Sequence, residues 1–530
     1  MAERGLQIRL FEPPPSWGGR WYASAYRTEE GRTSMSGTGE VTALATGPGS
    51  SNGQEASSDS LFPGVSRLPV RASWWVAVLV ATGASLMVVV SMREMAVDLG
   101  NVSILVWIVT AAVGGIQCLL IAELASRFPS RAGGTAQFAY RATPNGSRSL
   151  GALSSWCYWF AWTPGIAINL ILAATYLRDL FWPSMEPIVL AGLIGAVLYV
   201  ITAMGLKLTT VIYGVLATVA AVVILILVTA PVFQPETFQL SEVVPMSIPE
   251  GGPEGGSDVF MSILKWGFIA TWAAYAAEMA STICAEITRP ERYMKRVMSL
   301  SAIITFIAFS AVPVALFGLV GVEGVQNDPF QVFANAGGVV LGPIGELIVG
   351  LGLAAVLIIG AETFIIGSSR TIYQMARDRH LPKVFGKVNK RGTPVGSIAW
   401  DALVIGVMLA VFGTDVVQLV AAATVGYTLV FIMMPIAYLR LRRHRGGRQG
   451  SFRLSKPFAF IAALLTLYNL VLLAFGGPQW GLTVMLVGFG VSFLIVPISF
   501  LTNRFQRADI DIPEQASSPK VPVSQSGVAG

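Results

Sequence analysis

The chain has 530 residues, 54% of them hydrophobic and 12% charged, and the apolar residues are gathered into long blocks between short charged loops. That composition excludes an ordinary soluble domain and describes a membrane protein. A net charge of +6 is modest for this length, so no nucleic-acid partner is expected and the placement of the basic residues carries the information.

The first 71 residues are rich in Gly, Ser, Pro and Arg and lack a continuous apolar run, so they read as a disordered cytoplasmic tail without a cleaved signal peptide. Met35 opens a more ordinary polar stretch and offers an alternative start. Residues 504–530 read as a second disordered cytoplasmic tail. Between the tails, crossing about 30 Å of hydrocarbon takes about 20 apolar residues in a helix, because unpaired backbone groups are not tolerated in lipid. Apolar blocks and charged punctuation predict an all-α membrane protein of about twelve spans: 73–93, 102–124, 149–177, 187–205, 208–232, 259–285, 297–321, 342–369, 394–413, 416–439, 457–475 and 480–501.

Cytoplasmic loops collect Lys and Arg. Here the loops after spans two, six, eight and ten hold clusters such as Arg127, Arg131, Arg141 and Arg148, or Arg440, Arg442, Arg443 and Arg445, all on one side. The opposite loops are nearly free of basic residues; the longest, before span six, carries Glu236, Glu242, Glu250, Glu254 and Asp258, and its length hints at an ordered outer element. Arg93 and Arg178 break the alternation, which otherwise puts both termini in the cytoplasm and the chain in the cell membrane. Cys118, Cys157 and Cys284 fall inside apolar segments and His380 and His444 in basic loops, a distribution that suits neither a disulfide framework nor a metal site.

Three stretches say more than composition. AELASRFPSRAGGTAQFAY (122–140) closes span two, WAAYAAEMASTICAEITRPER (272–292) makes up most of span six, and SSRTIYQMARDRHLPKVFGKVNKRGTPV (368–395) follows span eight. Gly133 and Gly134 permit a tight backbone turn. The run from Arg370 to Phe385 reads as a short cytoplasmic helix stopped by Pro382, and all these loops read first as topological anchors. Together the three stretches resemble the amino acid–polyamine–organocation transporter superfamily over residues 72–503.

The resemblance implies two inverted five-helix repeats, about 72–232 and 259–439, with peripheral helices over about 457–501. It also implies that spans one and six are interrupted near the midplane, freeing backbone groups for a substrate. Placed on the family's pattern, Trp272 is the aromatic that closes over substrate, Ala273 and Ala274 mark the unwinding, Tyr275 lines the site, and Ala277 stands where a glycine is usual. Gly83, Ala84 and Ser85 resemble the family's Gly-Ser-Gly break in span one.

Glu278 falls on the family's acidic position. A charge at the centre of a span costs about 2.5–3.5 kcal/mol on insertion scales, so it needs a partner, a cavity or water. It either ties span six to a neighbouring helix or takes up a proton on one side of the membrane and releases it on the other. Glu362, in span eight, is a second coupling or gating candidate, and Asp401 reads as a satisfied interhelical contact. Where some relatives place a lysine in span five, this chain has Ala220, and Lys207 is too near the helix end to replace it. Trp156, Tyr158, Trp159 and Trp162 in span three either line a path or pack.

The expected function is secondary active transport of an amino acid or related small amine by alternating access, coupled to H+ or Na+ or run as exchange, without a bound cofactor. A polyamine, choline or other organocation permease and a non-transporting nutrient sensor are the alternatives. No phosphate-binding GxxxxGK[ST] stretch accompanies the spans, so ATP-driven transport is not expected, and an enzyme is not expected because both histidines lie in loops. The sequence sets no oligomeric state.

Overall fold

A computed structural model describes residues 68–508, apart from 71, 86–90, 143–147, 328–330, 413–416 and 444–449. Met35, residues 1–67 and residues 509–530 lie outside the described residues; of the two expected tails, residues 68–70 are described, and 504–508 are helical, ending the helix Ile495–Ala508. Among the described residues ten helices are long and apolar enough to cross a membrane. The other two expected spans are present in altered form. Span one is described as α1 (Trp74–Ser85), too short to be counted alone, followed by α2 (Met92–Leu99), which runs on through a 3-10 turn into the helix of span two, and span nine, helix α12 (Val395–Phe412), falls just under the length.

The remaining helices are α3 (Ser103–Arg127), the short α4 (Gln137–Arg141), α5 (Arg148–Phe181), α6 (Pro187–Met204), α7 (Leu206–Phe233), α8 (Gly255–Ala274), α9 (Pro290–Asn327), α10 (Gln331–Leu341), α11 (Pro343–Arg377), α12 (Val395–Phe412), α13 (Val417–Arg443), α14 (Phe458–Val471), α15 (Leu482–Phe493) and α16 (Ile495–Ala508). α10 replaces what reads in the sequence as a loop. It lies against the start of α11 because Gly337 and Gly345 let the two backbones touch: a Cβ on Gly345 would sit 2.0 Å from the Gly337 carbonyl oxygen.

The packing repeats with a period of five spans. Span two runs along span seven (α3 on α9), three along eight (α5 on α11), four along nine (α6 on α12), and one meets six. Span ten packs on three as five packs on eight, and six meets two as one meets seven. Because five is odd, the second copy of each contact runs the opposite way through the bilayer, the inverted 5+5 arrangement. Span three is the axis, with 83% of its most apolar 18-residue stretch buried, whereas spans eleven and twelve cover α13 from outside, with 22% and 33% of the corresponding stretches buried.

The acidic loop is an ordered cap. The Gln239 amide donates to the Gly318 carbonyl at 2.7 Å, a Glu242 carboxylate oxygen accepts from the Val322 amide at 2.9 Å, and Asn101 holds Glu242, Pro245 and Ser247 through their backbones. The basic residues on this face are locally offset: Arg178 pairs with Asp179 at 2.6 Å, Lys265 with Asp98 at 2.7 Å, and Arg93 donates to the Gln326 carbonyl at 2.8 Å.

Candidate functional site

Span six changes helix type at its middle. α8 ends at Ala274, Tyr275 closes the last α-turn onto Thr271, and from Ala276 to Glu286 the backbone tightens into an eleven-residue 3-10 helix. Such helices rarely run beyond 3–4 residues, and a longer stretch inside a span marks a hinge or a strained segment. The break lies just past the position that the resemblance implies. Ala273 and Ala274 are the last α-helical residues, and the Ala274 carbonyl lies against Gly114 of α3, where a Cβ would approach to 2.7 Å. Ala277 keeps an ordinary negative φ, so glycine's freedom is not needed there.

Span one differs more. Gly83, Ala84 and Ser85 are still helical, within α1, and the described departure from helical backbone is at Ser91, with φ 66°, before α2 begins. The side chains of Ala84 and Ser85 are not among those described. Gly83 serves a close contact: a Cβ there would fall 1.7 Å from Tyr213 Oη and 2.4 Å from Thr363 Oγ1. Those hydroxyls lie 2.6 Å apart and both donate to the Val80 carbonyl, at 3.2 and 3.3 Å. Gly83→Ala is therefore expected to cost about 1–3 kcal/mol by overpacking. Adding Tyr213→Phe, which removes the obstructing oxygen, should recover part of the loss in thermal unfolding of the detergent-solubilised protein.

Glu278, at the start of the 3-10 run, is fully buried. Its carboxylate accepts hydrogen bonds from the hydroxyls of Thr135, Tyr158 (2.6 Å), Tyr427 (3.4 Å) and Ser281 (3.5 Å). It thus ties span six to span three, to span ten and to the loop after span two. Thr135 and Tyr427 are absent from the sequence-derived site. A signal for Thr135 existed, since it follows the Gly133-Gly134 pair directly. The pair lets the loop reach span six: the Gly133 amide donates to Thr282 O at 3.1 Å, and a Cβ on Gly134 would stand 2.9 Å from Tyr158 Oη.

The three sequence stretches meet at the basic-loop end. Arg370 pairs with Glu286 at 3.0 Å, both almost wholly buried, and Arg131 forms a buried ion pair with Asp378. Gln374 donates to Asp378 at 3.2 Å and accepts from the Ala132 amide at 3.3 Å. Two readings are corrected here. No separate helix begins at Arg370, because α11 is continuous to Arg377, and these loops do more than anchor topology, because their charges hold spans two, six and eight together. Ala72 adds to this end, pairing its backbone with Glu286 and Thr288 at 2.8 and 2.9 Å.

Around the span-six break stands an aromatic cage. The indole of Trp272 donates to the Ala161 carbonyl at 2.7 Å, and its ring lies 6.1 Å from Trp162 and 5.7 Å from Phe364. Trp162 stacks on Phe364 at 4.8 Å and meets Tyr427 edge-on at 4.7 Å; Tyr275 lies 4.9 Å from Phe431. The aromatic run of span three divides by helical phase. Tyr158 and Trp162 face this centre, while Trp156 and Trp159 face spans nine and twelve.

Asp401 accepts from Ser368 Oγ (2.6 Å), Trp159 Nε1 (3.0 Å) and Tyr199 Oη (3.2 Å). Glu362 accepts from Thr202 Oγ1 at 2.6 Å through one oxygen, while its other oxygen is buried without a hydrogen-bond partner. Ala220 is wholly buried in apolar surroundings in α7. Among the described residues no three His, Cys, Asp or Glu side chains stand close enough to share a metal ion.

An inverted 5+5 bundle whose sixth span changes helix type beside a cluster of buried aromatic rings has the architecture of a multi-pass membrane transporter. The chain belongs to the amino acid permease family, whose sequence pattern matches residues 73–500. It is 24% identical over 335 residues to the uncharacterized amino acid permease YvbW of Bacillus subtilis, covering 60% of this chain and 73% of that one. It is also 24% identical over 269 residues to the branched-chain amino acid permease BcaP of Lactococcus lactis, where the match spans 48% of this chain and only 54% of the relative. Over 440 residues it is 24% identical to a putative arginine/ornithine antiporter of Bacillus subtilis, covering 76% of this chain and 90% of that one. These are permeases and not enzymes.

Proposed function

We propose that the protein carries an amino acid with an apolar side chain across the cell membrane by ion-coupled alternating access, with its basic loops and both termini in the cytoplasm. The observation that carries this reading is the composition of the centre. The cage of Trp162, Trp272, Tyr275, Phe364, Tyr427 and Phe431 offers apolar faces, while the one carboxylate beside it, Glu278, already accepts three hydroxyls from neighbouring elements. A substrate with a cationic side chain would have to break those bonds to gain a counter-charge. A zwitterion needs only backbone donors and acceptors, and the change of helix type after Ala274 is the place in span six for such groups to be offered. BcaP, a branched-chain permease by name, agrees with this choice, whereas the antiporter's name points to a cationic substrate.

The test is counterflow in proteoliposomes containing the purified protein. Labelled leucine, isoleucine or phenylalanine should exchange, and lysine, ornithine and putrescine should exchange at least tenfold more slowly. Preferential lysine or putrescine flux would overturn the substrate class. Ligand-induced thermal stabilisation without any flux would replace transport by sensing.

A further inference from the structure

Among the described residues, Glu123 and Glu286 are buried in ion pairs with Arg127 and Arg370, while Glu278, Glu362 and Asp401 are buried in the spans without one and differ in how well their charge is compensated. Glu278 accepts three hydroxyls from other elements and Asp401 accepts three donors from spans three, four and eight. Glu362 has only Thr202, and its second oxygen has no partner. A buried carboxylate is held in its charged form by donors and cations and neutralised when these are lacking. By donor count Glu362 is the acid least able to stay charged in this closed arrangement.

Its surroundings reinforce the contrast. Thr202 reaches it from α6; Tyr199 of α6, Tyr213 of α7 and Arg370 on its own helix are within electrostatic range, but their polar groups are engaged by Asp401 of α12, by Val80 and Thr363, and by Glu286. Span one reaches the neighbouring residue, since Thr363 donates to the Val80 carbonyl beside Gly83. A displacement of α1 from α11 would therefore uncover Thr363, the residue next to Glu362 on the same helix. On the basic-loop face, the end of α6 borders a cavity that neither Glu362 nor Thr202 lines. This cavity, of about 520 Å³, is lined by Ala72, Val76, Leu206, Thr210 and Glu286, and by Met204, two residues beyond Thr202 on the same helix.

From this geometry we infer that Glu362 is the proton-carrying group of the cycle: its carboxylate takes one proton from water on one face, stays neutral while the spans are closed over it, and returns that proton to water on the other face when α1 swings away. The inference rests on the transport reading above and names its coupling ion. It assigns Glu278 the separate task of tying the interrupted span to its neighbours.

The experiment uses the full chain in proteoliposomes and follows three signals: accumulation of labelled leucine driven by an imposed pH difference, the substrate-dependent pH change reported by a trapped dye, and leucine counterflow at equal pH. Glu362→Gln keeps the shape and the acceptor for Thr202 but cannot exchange a proton. It should lose driven accumulation and coupled proton movement at least tenfold while counterflow falls by less than about threefold. Thr202→Val removes the single donor and should displace the pH profile of accumulation without abolishing counterflow, which covers the case of a poorly folded glutamine variant. Full driven accumulation in Glu362→Gln, or an unmoved profile in Thr202→Val, would overturn the assignment. So would wild-type exchange without proton movement, which leaves the transport reading standing; absence of wild-type counterflow with every amino acid overturns both.

Discussion

Glu278→Ala is expected to destabilise the protein by about 3–5 kcal/mol, the larger part of it from hydroxyls left without an acceptor. Each buried donor that loses its acceptor costs about 1–3 kcal/mol, and Tyr158, Thr135 and Tyr427 all direct hydroxyls at this carboxylate. Their ability to turn toward other acceptors keeps the total below the simple sum. Glu278→Gln retains one carbonyl oxygen but presents an amide donor to a hydroxyl, so a smaller loss of about 1–2 kcal/mol follows. Tyr158→Phe, which removes one donor and leaves the acid with others, should cost about 1 kcal/mol. Thermal or denaturant unfolding in one detergent should give the order Ala, Gln, Tyr158→Phe. A Glu278→Ala protein that melts within a degree or two of wild type would show that this side chain is not the tie between spans three, six and ten.

That expectation depends on partners the sequence did not reveal. The twelve-span pattern and the sides of its loops were legible because hydropathy and charge are written along the chain and need no knowledge of contacts. The interruption of span six was legible as a run of alanines, but alanine composition does not say at which residue the hydrogen bonds shift from α to 3-10, hence the displacement from Ala273 to Tyr275. Gly83 was read as the break in span one because glycine is permissive at breaks and at close contacts alike, and only the presence of Tyr213 tells them apart. Thr135 and Tyr427 stand 143 and 149 residues from Glu278, and no local pattern joins them. Arg370 looked like a headgroup residue because charge is read as surface; its carboxylate partner is 84 residues earlier in the chain.

The Arg370–Glu286 pair leads to the second large effect. Both side chains are removed from water, at 1% and 4% exposure, and the ion pair is the link between the end of the 3-10 run and α11. Removing one partner leaves an uncompensated buried charge, so Arg370→Met or Glu286→Met alone should cost about 3–5 kcal/mol. Replacing both by methionine removes the desolvation cost together with the attraction and should be near neutral or stabilising by about 1–4 kcal/mol. A double-mutant cycle on unfolding free energies therefore has a sign that distinguishes a buried pair from a solvated one, whose coupling would be only about 0–1 kcal/mol. The cycle also has a functional reading, because Cys284 sits two residues before Glu286, buried with its thiol 3.7 Å from the Pro129 carbonyl. With Cys118 and Cys157 replaced by alanine, a membrane-permeant maleimide should label Cys284 slowly in the otherwise wild-type protein. The double-methionine variant should label several-fold faster, since the ion pair no longer holds span six against span eight at the basic-loop end. Equal labelling rates would mean that this end is held closed by the Ala72 backbone pairing and the Arg131–Asp378 bridge instead, and the same assay on Asp378→Asn would then show the acceleration.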